Sequence, residues 1–230
     1  MNIKCHRIFH IRNISFCIFL LFSSGLSART NIDSLEKVLN STDKTDKLKI
    51  LHTLSEYYSS KLPNKSIKYS EQAIIIADEI RNPEERLTAL INLGNVYLNL
   101  GDNAQSLQYY DSSLKEARKE KNLLFIAKSF LKIGYLSTLK SNYPEALKYH
   151  FDALKIFKTI DNKSGMADSY HYIGIIYYYL MDFENALMYS NYALEIREEQ
   201  KDKIGISNSL NNIALLYSNL GNKDMALEYN

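Results

Sequence analysis

Sliding this chain along itself by 40 residues lays tyrosine on tyrosine, because Tyr69, Tyr109, Tyr149, Tyr189 and Tyr229 share one column. With 18 tyrosines in 230 residues, four matches to a given first tyrosine arise by chance on the order of once in 30,000 columns. The columns just before it repeat as well: Ile67, Leu107, Leu147, Leu187 and Leu227 follow the small residues Ser66, Ser106, Ala146, Ala186 and Ala226. An upstream set reads Leu90, Phe130, Tyr170, Leu210, then Leu93, Ile133, Ile173, Ile213, then Gly94, Gly134, Gly174, Ala214. Such a period marks copies of one supersecondary unit, none of which can enclose its own apolar face, so the copies must stack.

Apolar residues within each unit recur at helical rather than alternating spacing. Eight glycines and three prolines are too few for the turns of a many-stranded β protein, so the chain reads as all-α. The spacing predicts helix pairs near 84–100 and 103–120, 124–140 and 143–160, 164–180 and 183–200, and 204–220 and 223–230, after an earlier pair near 46–61 and 64–80. Gly101-Asp102-Asn103, Ser141-Asn142-Tyr143-Pro144, Gly221-Asn222-Lys223 and Leu62-Pro63-Asn64 supply turns, with Gly101 and Gly221 suited to a left-handed helix terminus. The small columns predict close helix crossings, Gly94 against Ser106 and Gly134 against Ala146. Leu54-Ser55-x-x-Tyr58 stands 39 rather than 40 residues before its counterpart, which predicts a shorter first turn.

The order Leu93-Gly94-x-x-Tyr97, Gly101-Asp102, Ser106-Leu107, Tyr110 and Ser113 resembles the tetratricopeptide repeat, and Ile173-Gly174-x-x-Tyr177 with Ala186-Leu187 and Ala193 resembles it more closely. The resemblance covers about 46–230 and departs in its 40-residue period, where about 34 is common, and in lacking a proline after the second helix. It implies an α-solenoid, a right-handed superhelix of five stacked hairpins over 46–230 with the last incomplete. Residues 28–45 are expected to be a linker and a short capping helix, since 32–40 has its own apolar stripe.

Residues 1–27 read as a secretory signal peptide: basic Lys4, Arg7 and Arg12, an apolar run from Ile14 to Phe22, and a small-residue exit with cleavage favoured after Ser27. Nine apolar residues fall short of the roughly 20 that span a bilayer as a helix. Cys17 follows Phe16 rather than a small residue, which disfavours lipidation. Both cysteines, Cys5 and Cys17, lie in this segment, so the mature chain would have no thiol chemistry. Removing its three basic residues takes the formal charge from +2 to 2 − 3 = −1, which makes nucleic acid a poor partner. An exported, periplasmic or otherwise extracytoplasmic bacterial protein is expected. Because the sequence stops about eight residues into a helix of about 18 elsewhere, a longer product is also expected.

No nucleophile elbow, phosphate loop or His-Glu-x-x-His motif is present, and His52, His150 and His171 stand without a second metal ligand. The sequence therefore reads as a non-enzyme without cofactor or metal. The resemblance implies that the inner face of each first helix lines a concave groove. Its residues would be Asn92, Asn95 and Asn99; Lys128, Lys132 and Tyr135; His171, Tyr172, Ile175, Tyr178 and Tyr179; and Asn211, Asn212, Leu215 and Asn219. Asparagine can pair with an extended backbone and tyrosine offers apolar area with a polar tip, a mixture suited to a protein or peptide partner. Asn92, Lys128 and Lys132 also match three of the five positions of the family's carboxylate clamp. His52 and Glu56 replace the other two, and Glu56 would repel a carboxylate, so an ordinary solvated wall is the favoured reading. Two functions follow from the resemblance: an extracytoplasmic binding scaffold, or the sensor region of a membrane signalling protein whose membrane helix and kinase or DNA-binding output lie downstream.

Overall fold

The 40-residue period resolves into two 17-residue helices and two three-residue turns, and each turn has the same internal logic. In a computed structural model, which describes residues 28–229 and side chains from 32 on, these residues form eleven α-helices and no strand. They are α1 Ala28–Val38, α2 Lys44–Tyr58, α3 Pro63–Glu79, α4 Pro83–Asn99, α5 Asn103–Lys119, α6 Leu123–Leu139, α7 Tyr143–Thr159, α8 Lys163–Tyr179, α9 Phe183–Glu199, α10 Lys203–Asn219 and α11 Lys223–Glu228. From residue 80 onward every turn has a left-handed middle residue: Gly101 and Gly221 at φ 77°, but also Ser141 at 57°, Met181 at 59° and Lys121 at 53°. The left-handed conformation that the two glycines suggest is thus general, held elsewhere by residues whose Cβ makes it costlier.

The last residue of each of these turns is Asn or Asp, and nearly all cap the next helix. Asn82, Asp102, Asn122, Asn162, Asp182, Asp202 and Asn222 each accept a hydrogen bond from a backbone N–H three residues on, as in Asp102 Oδ1 from Gln105 N at 3.0 Å. Each such cap contributes about 1 kcal/mol. Asn142 differs, its amide donating to Glu145 Oε2 at 2.8 Å. The first hairpin is also different: α2 ends at Tyr58, two residues early in its register, and Pro63 opens α3 without a left-handed residue. The missing residue is thus taken from the helix and not, as the spacing predicts, from the turn, which spans 59–62 and is longer than the three-residue turns elsewhere.

The repeated tyrosines are staples within each hairpin. Tyr97 stacks on Tyr109 at 5.4 Å, Tyr177 on Tyr189 at 5.5 Å and Tyr217 on Tyr229 at 5.6 Å, while Tyr58 meets Tyr69 at 6.1 Å. Where Ser137 replaces the first ring, Phe130 meets Tyr149 instead. The glycine column works otherwise than as a gap for Ser106 or Ala146: a Cβ on Gly94 would strike the Tyr110 ring and one on Gly134 the His150 ring. Only Gly174 faces second-helix backbone, at Ala186 O and Ser190 N. Glycine therefore admits a ring from α5 and α7, and the first hairpin fills the equivalent place with hydroxyls, Ser55 lying 3.0 Å from Ser66 and 2.6 Å from Ser70.

Junctions between units pair large with small. Ala117 accompanies Phe125, whereas Phe157 packs on Gly165 and Arg197 on Gly205. At the N-terminal end, Ile32, Leu35 and Leu39 bury against Leu48, Leu51 and Leu54. Glu36 of α1 accepts hydrogen bonds from Tyr69 Oη at 2.7 Å and Lys65 Nζ at 3.0 Å, tying α1 to α3. Among the described residues no helix is long and apolar enough to cross a membrane. The residues read as a signal peptide lie outside those described.

Candidate functional site

First helices α2, α4, α6 and α8 converge on a cavity of ≈ 630 Å³, inside the roughly 300–1,000 Å³ range of ligand pockets. Asn92, Asn95, Asn99, Lys128, Lys132, Tyr135 and Tyr172 line it, together with Glu56 and Asp168. Sequential first helices reach one space because each hairpin presents the same helical face, one unit further along the stack. Tyr178 and Tyr179 lie instead around a smaller hollow of ≈ 180 Å³ with Ile175, Asn212 and Leu215. Asn211 is turned to a third depression, against Lys223 and Leu227 of α11. His171 lines none of these three; its Nδ1 is 3.3 Å from the Asn212 amide. Asn219 is exposed, its amide donating to Leu215 O at 2.8 Å. The structure thus divides the sequence-derived face into a polar, charged part and an aromatic part.

Several of these polar groups are already engaged. Asn92 is 5% exposed, and its amide lies 3.5 Å from His52 Nδ1, while His52 Nε2 is 2.9 Å from Glu85 Oε2. Asn95 Oδ1 accepts from Tyr110 Oη at 2.8 Å, which orients its amide. Asn99 Nδ2 donates to Ser59 Oγ at 3.3 Å. His52–Asn92 and His171–Asn212 are the same contact made between successive units. Beneath the wall, His150 is fully buried and stacks on Tyr172 at 5.1 Å with neither ring nitrogen hydrogen-bonded. Burial holds its pKa down at about 3 and that of His171 at about 4, so both are neutral near pH 7.

Four charges share the main cavity. Glu56 is exposed as a residue, but loss of water at the cavity wall raises its carboxyl above the ordinary range, against the pull of Lys128 and Lys132. Burial lowers Lys132, opposed by Asp168 and Glu56. Asp168 is raised by burial and drawn back by Arg197, whose guanidinium donates to its Oδ1 at 3.2 Å. Arg197 is 6% exposed and also donates to Ser209 Oγ at 2.8 Å and Gly205 O at 3.3 Å. Register alone does not bring Asp168 and Arg197 to the groove, and it marks Glu56 only as a mismatch to the clamp. Two signals point to them: Asp168 shares a column with Lys128, and Arg197 is the one charge in a column otherwise made of Ala77, Ala117 and Phe157. Among the described residues no group of three His, Cys, Asp or Glu side chains could hold a metal ion.

The tetratricopeptide repeat family model matches residues 85–159 and 165–230, more than half of the chain. No curated protein matches the sequence. Among solved structures, NprR in complex with its cognate peptide NprX superposes with a TM-score of 0.72 at 19% identity, over 96% of this chain and 65% of that one. A Rap protein complexed with competence and sporulation factor gives 0.69 at 17%, over 86% and 67%. A signal transduction ATPase with numerous domains and a tetratricopeptide repeat sensor, from Pyrococcus horikoshii, gives 0.69 at 19%, over 94% of this chain and 34% of that one. At these identities the likeness is one of fold. The repeat columns, the paired helices and the family match agree, and the chain belongs to the tetratricopeptide repeat family.

Proposed function

We propose that this protein is an exported, noncatalytic scaffold that binds a peptide or an extended protein segment in the concave groove of its first helices. The observation that carries the reading is the ≈ 630 Å³ cavity built from four successive first helices, with amides, opposite charges and two tyrosines on its wall. Such a wall can pair with an extended backbone and still offer apolar area. NprR and the Rap protein, each solved with a peptide or factor bound, support the choice of partner class. Export rests on the reading of residues 1–27, and N-terminal sequencing of the protein from cell envelopes is expected to start at Ala28.

The groove is tested by a pull-down against extracytoplasmic proteins using the wild type and Asn99→Ala/Lys128→Ala, two exposed positions whose loss leaves the core untouched. Partners retained by the wild type and lost by the variant, at unchanged helicity, support the reading; partners indifferent to both substitutions move the site to another surface.

A second reading, the sensor half of a signalling protein, is favoured by the signal transduction ATPase, of which this chain spans 34%. Reading the coding frame past Asn230 decides: a membrane helix followed by kinase or DNA-binding motifs supports the sensor, and an immediate stop codon the free scaffold.

A further inference from the structure

The groove charges are ordered along the stack. Asp168 is committed to Arg197 at 3.2 Å. The side chains of Glu56, Lys128 and Lys132 make no hydrogen bond or close ion pair among the described residues, and they act on one another only through the field across the cavity that all three border. Lys128 rests its ammonium 4.8 Å from the Phe125 ring, which fixes the side chain and leaves its hydrogen-bond donors open. From α2 to α6 the wall therefore presents one carboxylate without a hydrogen-bonded partner, then the asparagines of α4, then two ammonium groups in the same condition. A ligand with a single sign of charge would satisfy one side and be repelled by the other, and an uncharged one would bury all three groups without giving them a hydrogen-bonded partner.

We propose that the groove selects a peptide segment carrying one basic and one acidic side chain a few residues apart. The basic group sits at Glu56, the acidic group at Lys128 and Lys132, and the backbone between them runs along α4 past Asn95 and Asn99. This rests on the groove being the binding site and adds the chemical class of the ligand. Glu56, which disqualifies the groove as a simple carboxylate clamp, becomes the residue that sets selectivity.

The test uses terminally blocked peptide pools with one to five randomised residues between two fixed ones, the fixed pair being Lys with Asp in either order, Lys with Lys, or Asp with Asp. Retention on the immobilised protein is read by mass spectrometry. The wild type is expected to retain a mixed-charge pool roughly tenfold over both like-charge pools. Glu56→Lys is expected to turn the preference to Asp with Asp, Lys128→Glu/Lys132→Glu to Lys with Lys, and Glu56→Gln to weaken selectivity without reversing it. Glu56 is exposed, so its variants keep the fold, which circular dichroism checks. Equal retention of all pools, or a wild-type preference for Asp with Asp unchanged in Glu56→Lys, overturns the paired-charge proposal and leaves the groove reading standing. Retention of no pool overturns both.

Discussion

The main cavity is walled by Glu56, Asn92, Asn95, Asn99, Lys128 and Lys132 of α2, α4 and α6, with Tyr135, Asp168 and Tyr172 at its far side, whereas the hollow between α8 and α10 holds Ile175, Tyr178, Tyr179, Asn212 and Leu215. One column alone runs Asn92, Lys132, Tyr172, Asn212, and another Asn95, Tyr135, Ile175, Leu215. From Asn82 onward the turn-closing Asn or Asp recurs at every step, and only the α2–α3 turn, which closes on Leu62, departs from it. The columns that set helix length, capping and stapling repeat because each unit must solve the same packing problem. Groove columns face solvent or a ligand, so they are free to differ, and their differences create a charged half and an aromatic half on one scaffold.

The junctions offer the sharpest way to break this comparison, since α5–α6 and α7–α8 solve one contact with opposite size orders. Phe157→Ala is expected to destabilise the protein by roughly 3–5 kcal/mol in urea unfolding, through lost burial and a residual cavity. Phe157→Ala combined with Gly165→Phe copies the Ala117–Phe125 arrangement and should recover about half of that loss. If the double variant is worse than the single one, the two junctions are not interchangeable. Arg197→Met removes three hydrogen bonds from a buried guanidinium and should cost about 2–3 kcal/mol by the same measurement. The figure stays below that of a fully buried pair because the Asp168 side chain is half exposed.

Acid sharpens the comparison next. Histidine ordinarily takes its proton near 6.5, but burial keeps His150 neutral to about 3 and His171 to about 4. Between those limits the unfolded chain binds the extra protons, so the native state loses stability as pH falls from 6.5, by up to about 1.4 kcal/mol per pH unit for each histidine. Asp168 and Glu56, whose pKa values are raised on folding, act in the opposite sense. His150→Phe is therefore compared with wild type across pH 7 to 4: the variant should show the shallower decline, and an unchanged slope would contradict the burial assigned to this ring. The smallest effect concerns the turns. Met181→Gly should stabilise by about 1 kcal/mol and Gly101→Ala destabilise by about as much, both read as shifts in thermal midpoint.

Helix positions were legible in the sequence because the 40-residue period is a property of the backbone: two helices and two turns of fixed length. The tyrosine column was legible too, but its role as a staple needed the second ring, which sits 12 residues upstream in three of the units. The ring over Gly94 leaves no such trace, since the same column holds Ser70, Tyr110, His150 and Ser190, and a column of mixed size carries no periodic signal. At the groove, inner-face positions could be assigned by register, but register does not say which of them meet. Asn211 and Asn212 are adjacent in sequence and border different depressions, and Asp168 joined the site through Arg197, a residue of another helix.

The central claim, that the concave face is where a partner peptide lies, is tested most directly by site-specific photo-cross-linking. A benzophenone amino acid placed at Tyr135, on the cavity wall, is compared with one at the exposed Phe151 on α7. The account predicts that partner peptides are captured from Tyr135 and not from Phe151, and that capture is lost in Asn99→Ala/Lys128→Ala. Capture from Phe151 alone, or equally from both positions, would contradict it.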